Sequence, residues 1–334
     1  MAGNSGSQPV LDIRGLSVTL PEGADRKYAI EDISLTVGRS EIVCVVGESG
    51  SGKSVSAQTV MGLIPRKELT PVAGEIMLQG EDLLKKSEIE LRELRGVKMA
   101  MIFQEPMTAF DPVFTVGDQI AETIVRHENV SHADAMARAL ELLDLVQIPS
   151  AKSRLKNYPF EMSGGMRQRA MIALALSCRP SLLLADEPTT ALDATVQIQI
   201  LLLLRQLRDE LGMAIMFVTH DIGVAVEIAD KMAVMYAGRF VETGSVADVF
   251  SNPAHHYTHG LMGSTVKRAN KGKRLMAIDG SPPDLAALPP GCAFAPRCRA
   301  ADGACNAKPP PETRIDGGHK TACYHPVKTL VAAD

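Results

Sequence analysis

The chain has 334 residues, a formal net charge of −4, 46% apolar and 22% charged residues, and only 4% aromatics with no tryptophan. That length allows one large domain or two around a sizeable core. The acidic balance and the scarcity of aromatics argue against a nucleic-acid binder, which would show a basic domain or base-stacking platforms. No apolar run approaches the roughly 20 residues needed to span a bilayer. The first residues, MAGNSGSQPV, lack a charged-then-apolar signal pattern. Residues 1–9 are therefore expected to be a disordered tail on a soluble, cytosolic chain, which leaves docking on a membrane protein open.

In chain order, Val10–Val18 and Ile30–Val37 alternate as strands around the polar loop PEGADRK. They are expected to pair near the strand that follows. Glu41–Val46 is a short apolar run rich in β-branched residues, the pattern of a buried strand. Gly47, Glu48, Ser49, Gly50, Ser51, Gly52, Lys53 and Ser54 then complete a G-x-x-x-x-G-K-[ST] motif, and Val55–Ile64 has helical character. Gly74–Gln79 and Lys98–Phe103 are further strand candidates, with Ser87–Arg95 a short surface helix between them. Val116–Arg126 and His132–Leu145 carry helical periodicity. Ser163 is a good N-cap for a helix running through Met171–Cys178. Ser181–Ala185 and Met213–Val218 are apolar strands flanking a helix over Thr195–Leu211 that Gly212 ends. Lys231–Tyr236 and Arg239–Thr243 form a hairpin pattern. Strands alternating with helices imply a mostly parallel, covered sheet, with functional residues at the carboxyl ends of its strands. Gly47, Gln104, Asp186 and His220 all follow strands in this way.

Strand, Gly-rich loop and helix together make a phosphate cradle. Glycines let backbone N–H groups approach an anion, and the helix N-terminus adds positive potential. Lys53 supplies a cation for the phosphates, and the Ser54 hydroxyl is placed for Mg²⁺. Asp186 suits the metal through a water, and Glu187 can serve as general base for an attacking water. His220 is a candidate γ-phosphate sensor. Gln104 is a candidate Mg²⁺ ligand that orders the water. A second anion-site pattern, Met162-Ser163-Gly164-Gly165-Met166, lies far along the chain. Two such sites mean two phosphates on one ligand, or one ligand shared between two chains.

The motif at 47–54, glutamine after MIF, MSGGM at 162–166, LLLADEPTTALD at 182–193 and VTHD at 218–221 together resemble the ATP-binding cassette (ABC) ATPases over roughly residues 10–260. The resemblance implies a P-loop NTPase core of α/β class over 10–262. It brings an antiparallel β subdomain and an α-helical subdomain at about 105–165. It implies ATP and Mg²⁺ as ligands and a head-to-tail dimer. There, Ser163, Gly164 and Gly165 of one subunit close over the γ-phosphate held by the other subunit's phosphate loop. Asp193 would communicate across that dimer, and Gln104-Glu105-Pro106 would couple to membrane partners. Met162 and Met166 replace the ends of the family's usual LSGGQ, which leaves nucleotide contact to the Ser163 hydroxyl and the glycine N–H groups. Where the family often stacks an aromatic on adenine, this sequence has Leu20, with Tyr28 as a substitute or a plain packing residue.

Cys44 and Cys178 are expected to be buried core thiols. The other four cysteines, Cys292, Cys298, Cys305 and Cys323, fall in the last 45 residues, in a Pro-, Gly- and Cys-rich segment that needs a staple. A basic stretch precedes it (Lys267, Arg268, Lys271, Lys273, Arg274), either a solvated linker or a contact for anionic lipid or an acidic partner. YTHGLM at 257–262, GSPPDLAALPPGCAFAPRC at 280–298 and HKTACYH at 319–325 resemble the C-terminal extension of oligopeptide, dipeptide and nickel importer ATPases, here over 263–334. The spacing C-x5-C-x6-C-x17-C is too loose for paired zinc knuckles. It permits a 4Fe-4S cluster, as the resemblance implies for some members, with zinc or metal-free thiols as alternatives.

The expected function is the ATPase subunit powering import of peptides across the bacterial inner membrane, bound peripherally to its cytoplasmic face. Its implied partners are a second, non-identical ATPase, two transmembrane permease subunits and an extracytoplasmic solute-binding protein, with no nucleic acid. Nickel, an opine or a sugar conjugate are alternative cargoes. A soluble ABC ATPase acting on ribosomes or DNA is the rival class. Such proteins usually carry two cassettes or a coiled-coil insert, and neither is present here.

Overall fold

Two hydrophobic faces of one mixed sheet with a parallel centre organise the computed structural model, which describes residues 8–65, 68–190, 192–264 and 278–327. The basic stretch at 267–274 and most of the expected N-terminal tail lie outside the described residues. The sheet's centre is β3 (Ile42–Val46), β8 (Ala214–Thr219), β7 (Leu182–Asp186) and β6 (Met99–Ile102), all parallel. Every residue of these four strands is buried, because helices cover both faces. That is why the strands appear as continuous apolar runs. On the other side of β3 comes β9 (Lys231–Tyr236), then β10 (Arg239–Ser245) in an antiparallel hairpin.

One core cluster packs on each face. The first joins Cys44, Ile102, Phe217 and Tyr236 to α3 (Val116–Glu128), α4 (His132–Leu145), α6 (Gly164–Ala175) and α7 (Ala194–Leu211), with α5 (Ala151–Arg154) following α4. Thr115, Ser131, Ser163 and Asp193 cap α3, α4, α6 and α7 by accepting backbone N–H bonds. The second cluster joins the opposite sheet face to α1 (Lys53–Met61), α2 (Glu88–Leu94) and a separate antiparallel sheet.

That separate sheet is the expected antiparallel β subdomain, packed beside the phosphate-loop strand. β1 (Leu11–Thr19) pairs with β2 (Tyr28–Val37) on one side and β4 (Thr70–Leu78) on the other, and β4 pairs with β5 (Glu81–Asp82), in the order β2-β1-β4-β5; none joins the phosphate-loop strand. Their alternating inward residues, such as Leu11, Ile13, Ile30 and Ile33, pack onto the main sheet's face instead of extending its edge. β4 also starts four residues before the predicted Gly74, in the exposed run Thr70-Pro71-Val72-Ala73. α6 ends at Ala175, short of the predicted Cys178.

α8 (Ile222–Ile228), α9 (Val246–Ser251) and α10 (His256–Gly263) complete the helices before the extension. Beyond residue 278 come α11 (Gly303–Ala307), β11 (Thr313–Asp316) and β12 (His319–Thr321). β12 pairs antiparallel with β10, and β11 with β12, so the sheet runs β11-β12-β10-β9-β3-β8-β7-β6. Phe294 from the extension joins the first core cluster. Cys44 and Cys178 are buried thiols as expected, and burial raises both above the ordinary value. Among the described residues no helix is long and apolar enough to cross a membrane.

Candidate active site

The carboxyl ends of β3, β6, β7 and β8 open onto one cleft of about 700 Å³. Gly47 leaves β3 so close to β9 that a Cβ there would lie 2.2 Å from the Met235 carbonyl oxygen. No side chain fits, and the loop is drawn tight against the sheet. Gly52 turns the chain into α1 with φ +105°, in the left-handed region that favours glycine. Lys53 is 4% exposed, and its Nζ donates to the carbonyl oxygens of Gly47 and Glu48, each at 2.9 Å. Burial pushes its ammonium below the ordinary value, while Glu187, Asp186 and Glu48 oppose that shift. A buried cation held by two carbonyls inside its own loop is a counter-ion ready for phosphate.

Ser54 Oγ donates to Asp186 Oδ1 at 2.9 Å, joining the loop to the end of β7. Burial raises the Asp186 carboxyl above its usual range, against the Ser54 hydrogen bond. The next residue, Glu187, has φ +47°, a left-handed conformation that costs a non-glycine residue about 1–3 kcal/mol and gathers at functional sites. The turn aims its carboxylate into the cleft, where three groups hold it. Thr190 Oγ1 donates to Oε2 at 3.0 Å, Gln104 Nε2 donates to Oε2 at 3.4 Å, and His220 Nδ1 is 3.1 Å from Oε1. Gly47, Glu48, Ser49, Gly50, Gly52, Lys53, Ser54, Gln104, Glu187 and His220 all line the cleft. Ser51 is buried in the loop with its carbonyl accepting from Gly238 N.

Ser163, Gly164, Gly165 and Asp193 are not among the cleft's lining residues. Ser163 and Gly164 are exposed at the start of α6, where Ser163 Oγ accepts from Met166 N at 3.3 Å. Asp193 is exposed and caps α7, accepting from Thr195 N and Val196 N. The two anion-site patterns therefore belong to separate surfaces of one chain. Leu20 and Tyr28 do not line the cleft either. Arg26 and Ala29 do, so the loop before β2 contributes a cation where an aromatic was sought. Thr190, Arg26 and the aromatic backing of the loop (Tyr236, Tyr257, Phe294) escaped the sequence reading. Thr190 was findable as the Thr three residues after Glu187; the others have no local signal.

Such a cleft defines a P-loop nucleoside triphosphatase: a phosphate cradle, a hydroxyl–carboxylate pair beside it, and a second carboxylate oriented by three neighbours. Residues 30–190 match the ABC transporter family model, and residues 241–305 match the oligopeptide/dipeptide transporter C-terminal region. A probable peptide ABC transporter ATP-binding protein of Sinorhizobium fredii is 48% identical over 325 residues, covering 97% of each chain. The oligopeptide transport ATP-binding protein OppD of Salmonella typhimurium is 44% identical over 322 residues, covering 96% of this chain and 95% of that protein. A dimeric post-hydrolysis structure of the ATP-binding cassette MJ0796 with ADP and Pi superposes with a TM-score of 0.63 at 26% identity, over 71% of this chain and 98% of that one. The chain belongs to the ABC transporter family, in the group that carries the oligopeptide/dipeptide C-terminal region, and it is an ATPase.

Proposed function

We propose that this chain is the ATP-hydrolysing subunit of an importer for di- and oligopeptides, bound peripherally at the cytoplasmic face of the inner membrane. Residues 10–262 act as the cassette, with the helical part at about 105–165, and residues 263–334 as its extension. The names of the relatives supply the cargo class. The single observation that carries the activity is the meeting of Lys53, Ser54, Glu187 and His220 in one cleft, with Asp186 buried behind it and bonded to Ser54. In this reading Lys53 and the loop N–H groups bind the phosphates. Ser54, Asp186 and Gln104 would hold Mg²⁺, which supplies charge neutralisation on the phosphate oxygens; the 2.9 Å hydroxyl–carboxylate contact is a donor set of the hard-oxygen kind that ion prefers. Glu187 takes the proton of the attacking water, oriented by Gln104 and Thr190, and His220 reports on the γ-phosphate.

The exposed Ser163–Gly165 surface completes the site of a second ATPase subunit, and Asp193 lies beside that junction. The dimeric state of the MJ0796 cassette supports this arrangement. Two permease subunits and a solute-binding protein complete the importer. ATP binding closes the pair of cassettes and hydrolysis reopens it, and that differential contact drives the permease between states.

For the C-terminal cysteines the reading is a 4Fe-4S cluster held by Cys292, Cys298, Cys305 and Cys323. All four line one small hollow with His255 and Phe294. Burial raises the Cys292, Cys298 and Cys323 thiols, Cys323 to about 11, and neighbouring thiols of the group push the same way. A bound cation favours the thiolates and removes that penalty. His255 Nε2 is buried there without a hydrogen-bond partner among the described residues, an orphaned polar atom facing the same space. Sulfurs sharing one zinc at about 2.3 Å lie within about 4.6 Å of one another. Among the described residues, the ligand group that compact is Asp302, Cys305 and His325, not the four thiols. A metal centre in the hollow would staple a weakly cored segment. Anaerobic purification of the intact complex tests both readings. Co-purifying permeases with about four irons per chain are expected; ribosomal partners would sink the transport reading, and zinc alone or no metal would sink the cluster.

A further inference from the structure

The phosphate loop contains an acid, Glu48, within an anion cradle. Its carboxylate would repel a triphosphate unless a cation neutralised it. The cation comes from the far end of the chain. Arg297 Nη1 donates to Glu48 Oε2 at 2.9 Å and Oε1 at 3.2 Å, and Nη2 donates to Oε1 at 3.3 Å. The Arg297 side chain is only 7% exposed. Its Nε donates to the Asp279 carbonyl at 3.0 Å and its Nη1 also reaches Tyr236 Oη at 3.4 Å, so the guanidinium is fixed from three directions. A forked, planar donor held this way matches a carboxylate as no lysine can.

The same neighbourhood grips the loop backbone. Tyr257 Oη accepts from Glu48 N at 2.9 Å. Tyr236, Tyr257 and Phe294 pack ring on ring behind it, with centroids 4.5–5.5 Å apart. Arg297 and Phe294 both lie between Cys292 and Cys298, on the short turn that closes one side of the cysteine hollow. The cysteine-bearing unit thus reaches directly to the second residue of the phosphate loop.

We infer that Arg297 is a positioning residue for ATP: it neutralises and fixes Glu48, and so makes the C-terminal cysteine unit part of the nucleotide site. The inference rests on the cleft being the ATP site, which binding of ATP by the wild-type protein checks separately. Without Arg297 the Glu48 carboxylate is released toward the phosphates. The defect is therefore electrostatic and depends on Glu48.

The test is a double-mutant cycle in the assembled complex, reading ATP KM and kcat together with displacement of a fluorescent ATP analogue. Arg297→Met is expected to raise KM and the analogue's dissociation constant about ten-fold, the scale of one charge-assisted contact, with kcat within about two-fold. In a Glu48→Gln background the same Arg297→Met change should cost less than about two-fold, because no carboxylate remains to be neutralised. Arg297→Lys keeps the charge but not the fork, and its smaller penalty should vanish in the same background, which preserves the test if Arg297→Met folds poorly. An equal penalty in both backgrounds would assign Arg297 a general packing role and overturn the inference, as would an unchanged KM in Arg297→Met. If the wild type fails to bind ATP, the site reading itself fails.

Discussion

Glu242 offers the sharpest test of how the residues beyond 278 are joined to the main sheet. It lies on β10, is 1% exposed, and serves as acceptor for three groups. Oε1 accepts from Ala254 N at 2.7 Å and lies 2.7 Å from His319 Nε2 on β12, while Oε2 accepts from His255 N at 2.8 Å. Glu242→Ala strands all three donors in a dry seam. Each buried unsatisfied donor costs about 1–3 kcal/mol, and removing one partner of a buried charged contact costs about 3–5 kcal/mol. Relaxation and water entry recover part of the sum, so we expect about 3–5 kcal/mol. For a domain of this size about 2–4 °C accompanies each kcal/mol, which predicts a fall in Tm of about 6 °C or more. Glu242→Gln keeps one acceptor oxygen but turns an amide donor toward the other N–H groups, so its cost should fall between wild type and Glu242→Ala. Thermal unfolding gives the magnitude, and hydrogen exchange locates it, with faster exchange at Ala322 N, which donates to Val241 O across the β10–β12 seam. A Tm within about 2 °C of wild type for Glu242→Ala would refute the reasoning.

Three further outcomes follow from the same geometry. Glu187→Gln preserves the shape that Thr190, Gln104 and His220 surround but cannot take a proton, so turnover should fall about 10²- to 10⁴-fold while ATP stays bound; single-turnover hydrolysis in the complex checks this, and near-normal turnover would remove Glu187 as base. Gly47→Ala places a Cβ 2.2 Å from the Met235 carbonyl and must push the loop off β9, so nucleotide affinity should drop at least about ten-fold by equilibrium titration; affinity unchanged would mean that the loop has slack. Gly291→Ala places a Cβ 2.1 Å from the Cys305 carbonyl oxygen, which also accepts from Cys292 N at 2.7 Å, so two of the four thiols should separate and the iron of the proposed cluster should fall by more than half per chain in elemental analysis.

What was legible in the sequence follows from where the chemistry is local. The strands ending at Gly47, Gln104, Asp186 and His220 are buried on both faces, so they stand out as apolar runs stopping at polar residues. The motif residues needed only that context to converge. The separate sheet was harder. β1 and β2 have the right alternation, but period alone does not say which sheet a strand joins, and β4 begins in the exposed, proline-containing run Thr70–Ala73 that has no buried face to betray it. The hairpin β11–β12 was invisible for the same reason, since all four residues of β11 are exposed. Arg297 and Glu48 are 249 residues apart. No spacing rule links them, although an acid inside a phosphate loop was a local clue that a cation had to come from somewhere.

That contact changes how the two ends of the chain relate. One phosphate-loop residue is held by Arg297 and by Tyr257 of α10, and one β10 residue is held by His319, so the residues beyond 278 grip the rest of the chain both at the phosphate loop and at the sheet edge. The two grips are tied together, because His255 caps α10 two residues before Tyr257 and its Nδ1 accepts from Tyr257 N at 3.0 Å. His255 N in turn donates to Glu242. A disturbance at the cysteine hollow, which His255 and Phe294 line, therefore has a short covalent and hydrogen-bonded route to Glu48. Among the described residues the Ser163–Gly165 surface shows no comparable tether to those beyond 278: Gly165 packs on Val196 of α7, and Ser163 caps its own helix. Any effect of the cysteine unit should therefore fall on the ATP bound by this chain's own loop, and leave the proposed contribution of Ser163–Gly165 to a partner's site largely unchanged.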